Sequence, residues 1–257
     1  MASKEQIIHF WDKKPCGTNG NIPECPNLDY FNKIRANRYK KEPFIFNYAQ
    51  FDKWANKKVL EIGCGVGIDG LEFAKNKADY YGLDITPQSI KLAKQYFKLN
   101  NFNDSNLIVG DAEALPFADN FFDYIYSWGV LHHTPDTEKA IAEIFRVLKP
   151  EGKFTIMLYN RHSLVALQLY FKYGLFKMKP GASLKELFST HHESQGTKAY
   201  TNKELIEMFK NFKQVKIVNV ITPYDLRIAK NKYLPSIFAK MVPSKFGFFT
   251  IIQGFKE

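Results

Sequence analysis

Cysteine is scarce here: there are three in 257 residues, Cys16, Cys25 and Cys64. That excludes a disulfide-built scaffold. A zinc site on Cys16 and Cys25 would be short of ligands, since only His9 lies near them in the chain, and no metal is expected. Long apolar runs are also missing, and none approaches the roughly eighteen residues needed to cross a bilayer. The opening MASKEQIIHF lacks a basic-then-apolar leader, so a cytoplasmic protein is expected. Acidic residues are depleted in one part of the chain. Residues 1–160 hold 20 Lys+Arg and 20 Asp+Glu, whereas residues 161–257 hold 16 and 6, so the whole net charge of +10 is C-terminal. Such asymmetry fits either an anionic partner or a lysine-rich solvated surface.

What the chain has in plenty is aromatic side chains, 16% of residues, enough for a large core and for an aromatic-lined pocket. The most informative run is VLEIGCGVGIDG, Val59 to Gly70. Val59, Leu60 and Ile62 read as a buried strand, and Gly63, Gly65 and Gly67 as a tight loop feeding a helix. Glycines let a backbone approach a ligand closely at a helix N-terminus. A dinucleotide fingerprint would need G-x-G-x-x-G, and counting from Gly63 puts Ile68 where the third glycine should stand.

Further strands follow at Tyr80–Asp84, Leu107–Val109, Phe122–Ser127, Lys153–Tyr159, Gln214–Ile221 and Phe246–Phe255. Asp84 ends the second strand about twenty residues past the loop, where an acid can accept from both hydroxyls of a ribose. Thr86-Pro87 caps a helix reaching Leu99. Thr137 to Leu148 is a helix stopped at Lys149-Pro150-Glu151-Gly152. Thr201, with Glu204 three positions on, caps a helix from Asn202 to Lys210.

The pattern Glu61-x-Gly63-x-Gly65-x-Gly67 resembles motif I of the class I S-adenosylmethionine-dependent methyltransferases. The strings GDAEALPFADNFFDYIYSWGVLHHTPD and EIFRVLKPEGKF resemble that family's small-molecule branch, which includes quinone and natural-product methyltransferases. The likeness is strong over about residues 55 to 160 and only architectural beyond Arg161. It implies an α/β, Rossmann-like sheet of seven strands with helices on both faces. The last strand would be antiparallel, inserted between the fifth and sixth. S-adenosylmethionine would be the cofactor. Glu61, Gly63, Cys64 and Gly65 would shape its loop, Asp84 with Ile85 would hold the ribose, and Asp111, Ala112 and Glu113 the adenine. Trp128 would lie near the sulfonium. His132 and His133 stand after the fourth strand, where a base would face the cleft, and histidine's ordinary pKa of about 6.5 suits that role. One of the two is expected to face the pocket.

The rest of the chain reads as an acceptor enclosure. Residues 1–55 form a helical lid, with helices at Lys4–Trp11, Asp29–Lys41 and Pro43–Trp54, and with Arg38 and Tyr39 as pocket candidates. Residues 56–257 form the methyltransferase domain. A cap insertion spans about 161–200 and a second insertion about 222–245. Ser163 to Phe176 is apolar and aromatic with lysines after it, which fits a cap helix or a helix touching a membrane surface. Arg161, His191, His192 and Tyr200 are candidate polar contacts to an acceptor, and Arg161 would suit an anionic one. His191-His192-Glu193 lacks helical ligand spacing and makes a weak metal signal. The competing reading is an RNA or protein methyltransferase using the basic C-terminal part. Against it, no amino-base motif follows the fourth strand and no RNA-binding motif is visible, so nucleic acid is not expected as a partner. The oligomeric state is open.

Overall fold

In a computed structural model, which describes residues 3–18, 20–229 and 232–257, seven strands form one sheet in the order β3-β2-β1-β4-β5-β9-β6. The strands are β1 (Lys58–Ile62), β2 (Asp79–Asp84), β3 (Leu107–Val109), β4 (Phe122–Trp128), β5 (Leu148–Tyr159), β6 (Lys213–Val220) and β9 (Phe249–Phe255). β7 (Arg227–Ala229) and β8 (Lys232–Tyr233) make a separate hairpin. Lys230 and Asn231, within the expected second insertion, lie outside the described residues. β1 to β5 pair in parallel, and β9 runs antiparallel to both β5 and β6. This is the architecture the sequence leads one to expect. Val59, Leu60, Ile62, Ile125, Ile156 and Leu158 are fully buried, because both faces of a parallel sheet are covered.

Nine α-helices are described: α1 (Lys4–Lys13), α2 (Leu28–Lys41), α3 (Ile45–Ala49), α4 (Ile68–Lys75), α5 (Pro87–Leu99), α6 (Thr137–Val147), α7 (Leu164–Leu169), α8 (Leu184–His191) and α9 (Asn202–Met208). Side chains pack into one core on each face of the sheet. Trp54 stacks on Tyr124 at 3.8 Å on one face, and Phe154 meets Phe212 at 4.5 Å on the other. None of the described helices is long and apolar enough to cross a membrane.

Three local details depart from the sequence reading. The helix read over Pro43–Trp54 breaks at Gln50, which takes a left-handed conformation and splits it into α3 and a 3-10 turn, Phe51–Trp54. β5 starts at Leu148 rather than Lys153, because Leu148 pairs with Phe122. The helix read over Ser163–Phe176 is α-helical to Leu169 and then widens into a π-helix, Tyr170–Leu175.

The strand order reverses between β1 and β4, so the loops leaving these two strands diverge. In an open α/β sheet that divergence opens a crevice beyond the strands' C-terminal ends.

Candidate functional site

A cavity of about 390 Å3 fills this crevice. Its floor is the loop between β1 and α4. Gly63 takes φ +75, and a Cβ there would meet Val130 Cγ2 at 2.2 Å, so only glycine lets the β1 and β4 loops approach. Gly65 takes φ +52, and a Cβ there would meet nothing within 4 Å, which leaves open space above the loop. The backbone N–H groups of Gly63 and Cys64 both donate to Leu83 O, at 2.6 and 3.0 Å. Gly65 N–H donates to Asp84 Oδ2 at 2.9 Å, and Thr86 N–H to Asp84 Oδ1 at 2.9 Å. The loop is thereby tied to the end of β2. Burial pushes the Asp84 carboxyl up, against the pull of these donors. Glu61 is buried beneath the loop and accepts from the Tyr80 hydroxyl at 2.6 Å. Burial, with Asp69 nearby, holds its carboxyl well above the usual range.

Cys64, Ile85, Asp111, Ala112 and Trp128 also line the cavity. Glu113 does not; it turns under the β3 loop, where it accepts from Asp136 N–H at 2.7 Å. Lys4 of α1 reaches in and pairs with Asp111 at 2.5 Å and Glu113 at 2.8 Å. That contact holds the Lys4 ammonium up at about 12.

The two histidines after β4 separate clearly. His133 lines the cavity. His132 is fully buried, its ring packed on Tyr159 at 3.7 Å, and neither ring nitrogen has a partner among the described residues. Burial, then the neighbouring His133, pushes the His132 pKa well down. His133 Nδ1 lies 3.0 Å from Ser194 Oγ and 3.2 Å from Thr197 Oγ1. Its Nε2 lies 3.3 Å from Glu193 Oε2, which also accepts from the Tyr159 hydroxyl at 2.9 Å. Glu193 lines the cavity, with its side chain 38% exposed. Burial would raise its carboxyl, but His133, His192 and Tyr159 outweigh that and hold it at about 2. The carboxylate is therefore ionised, and Oε1 has no protein donor among the described contacts.

Buried carboxylates hold α2 against the rest of the fold. Asp69, the second residue of α4, accepts from Arg38 Nε at 2.9 Å and from Arg38 Nη2. It also accepts from the hydroxyls of Tyr39 at 2.9 Å and Tyr126 at 3.0 Å. Its side chain is 1% exposed. Trp128 Nε1–H donates to Glu42 Oε2 at 2.8 Å, a second tie between α2 and the sheet.

The structure places several sequence candidates away from the cavity. Tyr39 spends its hydroxyl on Asp69, while its neighbour Arg38 lines the space. Arg161 does not line the cavity; it donates to Ala199 O at 3.0 Å and pairs with Glu204 at 3.0 Å. Tyr200 lies in the opposite core and donates to Thr137 Oγ1 at 2.8 Å. His191 is exposed and stacked on Tyr173 at 4.0 Å, and His192 packs against Phe248 at 5.2 Å. Of the three residues read together as His191-His192-Glu193, only Glu193 reaches the cavity. There its carboxylate lies within 4.8 Å of donor atoms of both His132 and His133.

Sequence reasoning gave Glu193 only as part of a weak metal signal and missed Asp69, Glu42, Tyr224 and Lys4 as cavity residues. Only Glu193 carried a signal, through its two histidine neighbours. The others reach the cavity from helices or loops that no local pattern connects.

A family model described as a methyltransferase domain matches residues 53–233. The chain is similar to a demethylmenaquinone methyltransferase of Anoxybacillus flavithermus, 29% identical over 67% of this chain and 75% of that protein. It is also similar to the ubiquinone/menaquinone biosynthesis C-methyltransferase UbiE of Rickettsia prowazekii. There it is 32% identical over 57% of this chain and spans 60% of the relative. Among solved structures, a SAM-dependent methyltransferase of Thermotoga maritima, named as a possible histamine N-methyltransferase, superposes with a TM-score of 0.54. It has 18% identity and the match covers 98% of this chain and 100% of that one, a likeness of fold.

Proposed function

The chain belongs to the methyltransferase-domain family and is an S-adenosylmethionine-dependent methyltransferase, and from that premise we propose that it methylates a ring carbon of a small quinol-type acceptor. Two observations support the reading. The curated relatives carry quinone names, and the cavity wall holds a carboxylate, Glu193, beside the His133 imidazole.

The residues present fit the cofactor. The left-handed Gly65 leaves clearance above the loop, and Asp84 and Asp111 offer carboxylates where a ribose and an adenine amino group need acceptors. Glu61, Gly63, Cys64, Gly65, Asp84, Ile85, Asp111, Ala112 and Trp128 would hold it, with Glu113 fixing Lys4 and the β3 loop from behind. When bound, the cofactor supplies a methyl group already activated by the sulfonium. The protein's task is then orientation, exclusion of water and care of one proton. Orientation of this kind is worth roughly 7–11 kcal/mol of barrier.

Glu193 Oε1 accepts the acceptor's phenolic O–H and so orients the ring. The proton passes to the Glu193–His133 pair, which raises electron density at the adjacent ring carbon. After methyl transfer the pair returns its proton to the ring oxygen and the methylated carbon gives its own proton to water, so the aromatic quinol is restored with one net proton released. Ser194 and Thr197 hold the His133 ring in place. His132 supports the pair by packing and takes no proton.

The test is incubation with isotopically labelled S-adenosylmethionine and short-chain demethylated benzoquinols and naphthoquinols, kept reduced. Label on a ring carbon supports the proposal. Transfer only to an amine or a hydroxyl would refute the carbon assignment, and transfer only to RNA or protein would restore the competing reading.

A further inference from the structure

Large apolar side chains on the surface are not spread evenly. Of the 18 exposed ones among the described residues, 12 lie in two short stretches: five in residues 167–178 and seven in 228–246. Phe176, Met178 and Met241 are 81%, 90% and 76% exposed. Monomeric proteins rarely leave such groupings to water without a use. Both stretches are also without acid. Residues 164–185 contain Lys172, Lys177, Lys179 and Lys185 and no Asp or Glu. Residues 226–256 contain Arg227 and five lysines, again with no acid. Basic groups sit over aromatic rings, Lys172 on Tyr173 at 4.8 Å and Lys245 on Phe246 at 5.0 Å. The first stretch is tied to the chain just before the second where Gln168 Nε2 donates to Asp225 O at 3.0 Å.

We propose that these two stretches form one docking surface for an anionic lipid bilayer. Apolar tips flanked by lysines, with acid excluded, are what an interfacial segment needs: the tips enter the headgroup–acyl boundary and the ammonium groups meet lipid phosphates. The π-helix that ends in Leu175 delivers Phe176 and Met178 at its exposed end. A second copy of the chain is the poorer occupant, because a self-complementary interface would bring the same unbalanced lysines against each other. Both stretches also lie near cavity residues along the chain. Tyr224 precedes the second stretch, Glu193 follows the helix after the first, and both line the cavity. The docking claim itself rests only on the surface.

Co-sedimentation with vesicles of phosphatidylglycerol in phosphatidylcholine, and of phosphatidylcholine alone, tests it without any turnover. The full chain should bind the anionic vesicles and release on raising salt from about 0.1 to about 1 M. Replacing Lys172, Lys177 and Lys179 together by Glu should weaken partitioning about a hundredfold, from roughly fivefold per lysine. Phe176→Asp with Met178→Asp should weaken it at least about tenfold. S-adenosylhomocysteine affinity, read by calorimetry, should stay unchanged in all variants and certify folding. Absence of binding to anionic vesicles, binding untouched by both variants, or a dimer in light scattering that the same variants dissolve would each overturn the proposal.

Discussion

Asp69→Ala is the perturbation with the largest expected effect on stability. Asp69 is almost wholly buried and accepts from Arg38 twice and from the hydroxyls of Tyr39 and Tyr126. Removing it leaves the Arg38 guanidinium, on a side chain only 21% exposed, without its hydrogen-bonded counter-charge, Glu42 remaining as the more distant carboxylate. Breaking a buried ion pair from one side costs about 3–5 kcal/mol. The buried Tyr126 hydroxyl loses its acceptor as well, for about 1 kcal/mol more. The sum, about 4–6 kcal/mol, is a large share of a typical domain's stability of about 5–15 kcal/mol. For a chain of this size it corresponds to a fall in Tm of roughly 10–20 °C. Urea unfolding followed by both circular dichroism and tryptophan fluorescence should show it, with the two probes checked for coincidence. The double variant Arg38→Met, Asp69→Leu should recover much of the loss, because an apolar replacement removes the unpaired charge. A loss below about 1 kcal/mol in the single variant, or a double variant no more stable than the single, would refute the assignment of Asp69 as the hub joining α2 to α4.

Further outcomes follow from the same geometry. Asp84→Ala should weaken S-adenosylhomocysteine binding about ten- to a hundredfold in calorimetry, through lost ribose acceptors and a loosened Gly65 loop; preference for NAD over S-adenosylhomocysteine in the unmodified protein would contradict the site assignment. His133→Ala should lower turnover by about 10²–10⁴-fold with cofactor affinity nearly unchanged. His132→Ala should lower stability but spare turnover, and the reverse ranking would move the proton role to His132. Asp225, raised by burial from 3.8 to about 6, favours the folded state when protonated, so its stabilising contribution is present below about pH 4 and lost as pH rises through about 6. The pH dependence of urea unfolding should therefore differ between the unmodified protein and Asp225→Asn by up to about 3 kcal/mol across that window, and parallel curves would deny the shift.

The sheet and the glycine-loop edge of the cavity were legible in the chain itself. A buried parallel strand must be a short apolar run, a loop that approaches β4 must be glycine at Gly63, and a carboxylate at a strand end must stand at Asp84 or Asp111. Each of these constraints is local, acting within a few residues, so it leaves a local pattern. The residues read as acceptor contacts obey no such rule. Arg161, Tyr200, His191 and His192 have suitable chemistry, but Glu204, Thr137, Tyr173 and Phe248 engage them elsewhere. Nor does any spacing separate His132 from His133; the short turn after β4 alone sends one ring into the core against Tyr159 and the other toward Glu193. Asp69 becomes a hub only because α2 brings Arg38 and Tyr39 to it across some thirty residues. Contacts made between distant segments depend on how whole layers pack, and only the tertiary structure decides them.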